Sequence, residues 1–349
     1  MKPEPHFRKR AMQIVKSGQA VAVILAIAAG VALGATLLPS DGYHRFQLAK
    51  GTNFDNLRWI YERTHYDSKP IDVVLLGSSR TQLGLSAPRL QTDLAQRGIA
   101  ASVENFAVIA EGRNLQWEIV RELLSVKAPR LIVLEVNEEP FPYGHPGYKY
   151  VATDADLWGQ AGRGLHDALL GLVYLPYRNL VLLAASIFPE TLGQSPSFNP
   201  TKYAGANIDT TRSHRVATGE FIDMDRQVSV ASLAAGVRDY QLRNAPPRPL
   251  PFADRVYGDD TVFARAIAVA AAARGIKIAF IYLPYYTGPA SVAKRGFYAS
   301  FGPMIDGSFI RTHDKLYENW SHLNHAGAEV MTDTLAAGIA PSLAGQKLK

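Results

Sequence analysis

Three short, uninterrupted apolar runs, Ile71 to Leu76, Leu131 to Val136 and Ile276 to Leu283, most restrict what this chain can fold into. A strand that is apolar at nearly every position needs both of its faces covered, as in a parallel sheet held between layers of helices. Turn-forming or polar residues follow the runs: Gly77, Asn137 and Pro284. Helical spacing fills the intervals. Pro88 to Arg97 places Leu90, Leu94 and Ala95 on one face, and Leu115 to Leu124 has Asn114 before it as an N-cap. Thr261 to Arg274 is Ala-rich and stops at Gly275, and His325 to Leu335 reads as the last helix. Ser102 to Ile109 supplies a further strand between the first two runs. The alternation predicts an α/β fold: a parallel sheet in a three-layer arrangement.

The pattern lapses over 138–260, which is rich in Pro, Gly, Tyr and Asn and reads as an insertion or lid. Its apolar stretch, Leu165 to Ile187, contains Pro176, which predicts two helical pieces. Tyr174, Tyr177 and Arg178 interrupt it and favour packing as core or lid over lying against a membrane. Gly219 to Val230 is weakly strand-like, and a loop rich in Tyr, Gly and Ser runs from Pro284 to about Thr312. There are no internal repeats.

The N-terminal region carries a different signal. No charged residue occurs from Ser17 to Ser40, and the basic residues Lys2, Arg8, Lys9, Arg10 and Lys16 precede that run. Residues 20–38, as a helix, span roughly 28 Å, close to the hydrocarbon thickness of a bilayer. The basic flank orients such a span with its N-terminus in the cytoplasm and the rest of the chain outside. The organisation expected is a cytoplasmic tail at 1–19, a transmembrane anchor at 20–38, a linker with a lead-in helix around Asn53 to Thr64 at 39–69, and a main domain at 70–345. A cleaved signal peptide is the rival reading, with Ala32-Leu33-Gly34 as a small-residue cleavage site. Both readings export the main domain, so the expected setting is the inner membrane with a periplasmic domain. The net charge of +6 is concentrated in the tail, and the remainder lacks the basic face that nucleic acid requires. The absence of cysteine removes disulfides, thiolate metal sites and a cysteine nucleophile.

Gly77-Ser78-Ser79-Arg80 follows the first apolar run, and His322-Leu323-Asn324 with Gly327 lies near the other end of the chain. Ligands of parallel α/β sheets bind at the carboxyl ends of strands, where Ser79, Asn137 and Tyr285 fall. A serine presented there, with a histidine folded back onto it, has the elements of an activated nucleophile. With these residues the chain resembles the SGNH/GDSL hydrolase superfamily. The resemblance is to membrane-anchored envelope members related to the acyl-transfer proteins of alginate and teichoic acid modification. It covers roughly residues 70–137 and 261–340.

The resemblance implies a flavodoxin-like sheet and a role for each matching residue. Ser79, third in Gly77-Ser78-Ser79, is the nucleophile, and His322 is its base. Gly112 in Ala110-Glu111-Gly112 and Asn137 after Leu134-Glu135-Val136 join the Ser79 N–H as oxyanion donors. Asn319, in Asn319-Trp320-Ser321-His322, occupies the place where the family has an aspartate. An amide there carries no charge, so the orientation of His322 rests on Asn319, on a backbone carbonyl, or on another carboxylate such as Asp314, Glu318 or Glu135. Structural roles compete with these: Ser79 as a helix cap, His322 bonded to backbone, Gly112 and Asn137 as turn residues, and Arg80 as a solvated arginine or as a carboxylate or phosphate ligand. His313-Asp314 and His145 lack metal-ligand spacing, and no Gly-rich segment has the spacing of a nucleotide loop, so neither metal nor cofactor is expected.

The resulting expectation is a membrane-anchored serine acyl hydrolase or O-acyltransferase acting on acyl esters of envelope or exopolysaccharide glycans. A multi-spanning membrane acyltransferase is the partner that the resemblance implies. The alternative is a catalytically inactive binding or assembly subunit on the same fold.

Overall fold

The computed structural model describes residues 5–35, 37–38, 41–139, 143–159, 164–215, 221–243 and 260–344. Five strands form one wholly parallel sheet: β1 (Val73–Leu76), β2 (Val103–Asn105), β3 (Leu131–Val136), β6 (Lys277–Tyr282) and β7 (Met304–Asp306). Their spatial order is β2-β1-β3-β6-β7. Counted along the sheet's own strands this is 2-1-3-4-5, the order of flavodoxin-like folds, whose ligand crevice opens at the switch between the first and third strands. Two further strands, β4 (Ser213–Arg215) and β5 (Phe221–Asp223), pair antiparallel apart from it.

Strand side chains alternate between two cores. Val74 and Leu76 of β1, Ile132 and Leu134 of β3, and Phe280 face α3 (Asn56–His65), α6 (Arg113–Val126) and α11 (Asp260–Ala272), meeting Leu57, Ile60, Ile119, Leu123 and Ile267. Val73, Leu75, Val133, Ala279 and Ile281 face α5 (Ala87–Gln96), α10 (Val230–Arg243) and α13 (His325–Leu343) through Leu90, Leu94, Val237, Leu335 and Ile339. Each fully buried aliphatic side chain contributes roughly 1.5–3 kcal/mol relative to exposure, so the two interfaces dominate the cohesion of the fold. The lead-in helix belongs to this structure: buried Arg63 donates to Glu104 on β2 at 2.6 Å, tying α3 to the sheet edge.

Local expectations differ from the structure in several places. A six-residue helix, α4 (Ser79–Gly84), follows β1 directly. The second strand is confined to Val103–Asn105, because the chain then turns away into the loop that ends at Gly112. Gly112 rather than Asn114 caps α6, and Asn114 Oδ1 instead accepts from the backbone N–H groups of Leu115 and His145. The stretch with Pro176 is one helix, α9 (Leu165–Ile187), since its buried residues on either side of the proline, Leu175 and Leu182 among them, pack on one side. β7 is too short for hydrophobic periodicity to reveal, and only Ile305 of its three residues is buried. The N-terminal region forms α1 (Pro5–Ala35), which packs against α9.

Candidate active site

The turn after β1 is built around a carboxylate inside the sheet. Glu135, on β3, accepts from Ser78 N–H and Ser78 Oγ–H, both at 2.7 Å, and from Thr81 N–H at 3.2 Å and Thr81 Oγ–H at 2.6 Å. Gly77 makes room for that carboxylate: a Cβ there would lie 2.3 Å from Glu135 Oε2 and 2.2 Å from Thr81 Oγ1. Ser78, not Ser79, is the N-cap of α4, with its Oγ accepting from Arg80 N–H at 3.2 Å. The first N–H groups of a helix have no partner within it. Those of Arg80 and Thr81 are taken by Ser78 and Glu135, which leaves the Ser79 N–H at the helix mouth. Ser79 is thus held by its neighbours and keeps its own hydroxyl for another contact.

That contact is His322. Its Nε2 lies 2.7 Å from Ser79 Oγ, across 243 residues of sequence. The motif at Asn319 organises the histidine: Asn319 Oδ1 accepts from the backbone N–H groups of Ser321 at 2.9 Å and His322 at 3.0 Å. Its Nδ2 donates to Glu318 and stands 3.0 Å from His322 Nδ1. Reversing the amide would set its NH₂ against two N–H donors and its oxygen against a carboxylate, so three contacts fix which end faces the ring. His322 Nδ1 is then an acceptor, and in the neutral ring the proton sits on Nε2, pointing at Ser79. An aspartate in this place would instead accept a proton from Nδ1 and leave the Nε2 lone pair free to act as base.

The carboxylates considered as substitutes for that aspartate have other work. Glu135 holds the Ser78 turn. Glu318 is buried between Asn319 and Arg226, whose guanidinium donates to it at 2.5 Å, and its carboxylate accepts from the Asn319 amide that stands beside the ring. Asp314 lies in a short 3₁₀ turn ahead of the motif.

Gly112 and Asn137 stand at the crevice ends of the strands that flank β1. Gly112 has φ of +126°, and a Cβ on it would sit 2.2 Å from the backbone nitrogen of His145, so only glycine fits. Ala110, two residues earlier, also has positive φ, of 80°, a costly conformation for a residue with a Cβ. Asn137 leaves β3 with its Oδ1 buried and unpartnered among the described residues. No hydrogen bond joins either residue to Ser79 among the described residues.

Arg80 is neither solvated nor open to a substrate anion. It is buried, donates to both oxygens of Glu138 at 2.8 and 2.9 Å, and lies 5.5 Å above the ring of Tyr285. Burial opposes its charge, but Glu138, Glu111 and Glu135 outweigh that and raise its pKa. Tyr285 itself packs edge-on against Tyr240 of α10 and Trp320, so a helix between β3 and β6 walls the site beside His322.

Glu111 precedes Gly112 in the same loop and has a perturbed carboxyl. Burial pushes its carboxyl up to about 7; Arg80 opposes the shift while Glu135, Glu138 and Asp260 add to it. Below about pH 4.5, its ordinary value, Glu111 is protonated in both folded and unfolded chain. Between there and about 7 the unfolded chain ionises first, so this residue's contribution to stability falls as pH rises and its cost is complete above that window. Glu118 is likewise pushed up to about 7 by burial, so the comparison must isolate one group. Thermal unfolding of Glu111→Gln against wild type from pH 4 to 8 should show the wild type losing ground to the variant as pH rises; parallel curves would contradict the placement.

No family model and no curated protein matches this chain.

Proposed function

We propose that this protein is an exported, membrane-anchored serine acyl hydrolase or O-acyltransferase of the SGNH type, acting on acyl esters of envelope or exopolysaccharide glycans. The observation that carries it is the 2.7 Å contact between Ser79 Oγ and His322 Nε2 at the crevice end of the sheet. Ser79 would attack the ester carbonyl while its proton passes to His322. The tetrahedral oxyanion would take hydrogen bonds from the Ser79 N–H, Gly112 N–H and Asn137 Nδ2, each donor being worth roughly 3–4 kcal/mol of barrier in comparable sites. Collapse expels the alcohol, which receives the proton from His322, and leaves Ser79 acylated. Water or a sugar hydroxyl then attacks the acyl-enzyme by the same route in reverse. A multi-spanning membrane acyltransferase that carries the acyl group outward is the partner proposed with the transferase form.

The orientation of Asn319 favours a second reading, a binding or assembly subunit with a silenced site. With Nε2 protonated, His322 donates to Ser79 instead of accepting from it, and base catalysis first requires the ring's proton to move to Nδ1, against the Asn319 amide. Slow turnover separates the two. Purified full-length protein should hydrolyse small acetyl esters at a low rate that Ser79→Ala removes. Turnover unchanged in Ser79→Ala would overturn the enzymatic proposal.

A further inference from the structure

We propose that the outward face of α9 lies in the lipid bilayer beside α1, giving the protein a second membrane contact close to its catalytic crevice. This extends the anchored reading of α1 and rests on it. α9 has 23 residues, about 34 Å of helix, and is apolar enough to cross a membrane. One side packs on the domain through Gly171, Leu175, Asn179, Leu182 and Ala185. The opposite side should be polar if it met water. It carries instead Leu169, Val173, Tyr177, Leu180 and Ile187, at helical spacing and all exposed, with Val173 79% and Tyr177 62% accessible.

No Asp, Glu, Lys or Arg occurs from Ala168 to Tyr177 or from Asn179 to Pro189. The one charge between these segments, Arg178, is fully buried and turned inward to Asp154 and the Ala152 carbonyl. An apolar stripe this long, with its charge withdrawn, marks a membrane or protein contact.

What decides for lipid is continuity. α9 packs against α1, whose residues Val21, Ile24, Leu25, Ile27 and Leu33 are themselves apolar and exposed. If α1 is in the bilayer, the stripe of α9 meets the same medium.

The seat is coupled to the crevice by short links. Asp167, in the first turn of α9, accepts from Gly144 N–H at 2.5 Å, and the next residue, His145, is the backbone against which Gly112 packs. A membrane-borne acyl donor or partner would reach the oxyanion loop from this side.

The chain has no cysteine, so single-cysteine variants report one position each. Full-length Val173→Cys and Leu180→Cys, labelled with an environment-sensitive fluorophore, are reconstituted into phospholipid vesicles with and without nitroxide-bearing lipids. Val23→Cys on α1 and Ser232→Cys on α10 are the references. The expected result is several-fold quenching at 173 and 180, as at 23, with none at 232. Quenching at 23 without quenching at 173 and 180 overturns the proposal and leaves the anchor intact. No quenching at any of the four overturns both. Protection of 173 and 180 from an impermeant thiol reagent, without lipid quenching, assigns the face to a second copy of the chain and overturns the lipid contact.

Discussion

Asn319→Asp should raise the rate of acyl-ester turnover by at least about 10², approaching the 10⁴ that the converse change costs in a serine-protease triad. The wild-type amide donates toward Nδ1 from 3.0 Å and is pinned by Ser321 and His322 N–H, so His322 holds its proton on the side of Ser79. A carboxylate keeps the same two backbone contacts through one oxygen and presents the other as an acceptor for Nδ1–H. It reverses the tautomer and stabilises the imidazolium that forms when Ser79 attacks. The new charge would meet Glu318, which accepts from Asn319 in the wild type. The double variant Glu318→Gln/Asn319→Asp should therefore exceed the single one, because the Gln amide donates where the two carboxylates would repel. Steady-state kinetics measures the gain, and nitrogen chemical shifts of His322 report the tautomer without reference to activity. A wild-type ring protonated on Nδ1 would contradict the account of Asn319.

The second large effect is structural. Glu135→Ala should lower stability by roughly 4 kcal/mol or more, since four donors in the Ser78 turn lose their acceptor inside the sheet and each buried unpaired donor costs at least about 1 kcal/mol. For a domain of this size that corresponds to a melting temperature lower by roughly 10 °C. Glu135→Gln, which keeps an acceptor oxygen but sets its NH₂ against donors, should fall between Ala and wild type. The Ser79 turn loses its acceptor in Glu135→Ala and keeps part of it in Glu135→Gln, so reactivity at Ser79 should drop with stability in that order. A melting temperature within a degree or two of wild type in Glu135→Ala would show that the carboxylate does not organise the turn.

These effects mark where the sequence could and could not be read. The parallel sheet was legible because β1, β3 and β6 are apolar at nearly every position, which few other environments accept. Ser79 and His322 were legible as a pair because both fall in short motifs at opposite ends of the α/β pattern. Glu135 was weighed only as a substitute for the missing aspartate, although a carboxylate inside the run Leu131 to Val136 signals a buried polar job. Its partners, Ser78 and Thr81, lie more than 50 residues away, and nothing local to β3 names them. Arg80 was read without Glu138 for the same reason. The orientation of the Asn319 amide depends on backbone N–H directions that only a folded turn defines. The expected break at Pro176 followed from local propensity, which the packing of α9 on the domain overrides.

Under the proposed function Ser79, with His322, is a nucleophile of weak but real reactivity. That reactivity is tested most directly by mass-spectrometric mapping of a fluorophosphonate adduct on full-length wild type, Asn319→Asp and His322→Ala. The expected result is slow modification of Ser79 in wild type, faster modification in Asn319→Asp and none in His322→Ala. Absence of an adduct at Ser79 in both wild type and Asn319→Asp, with both proteins folded, would contradict it.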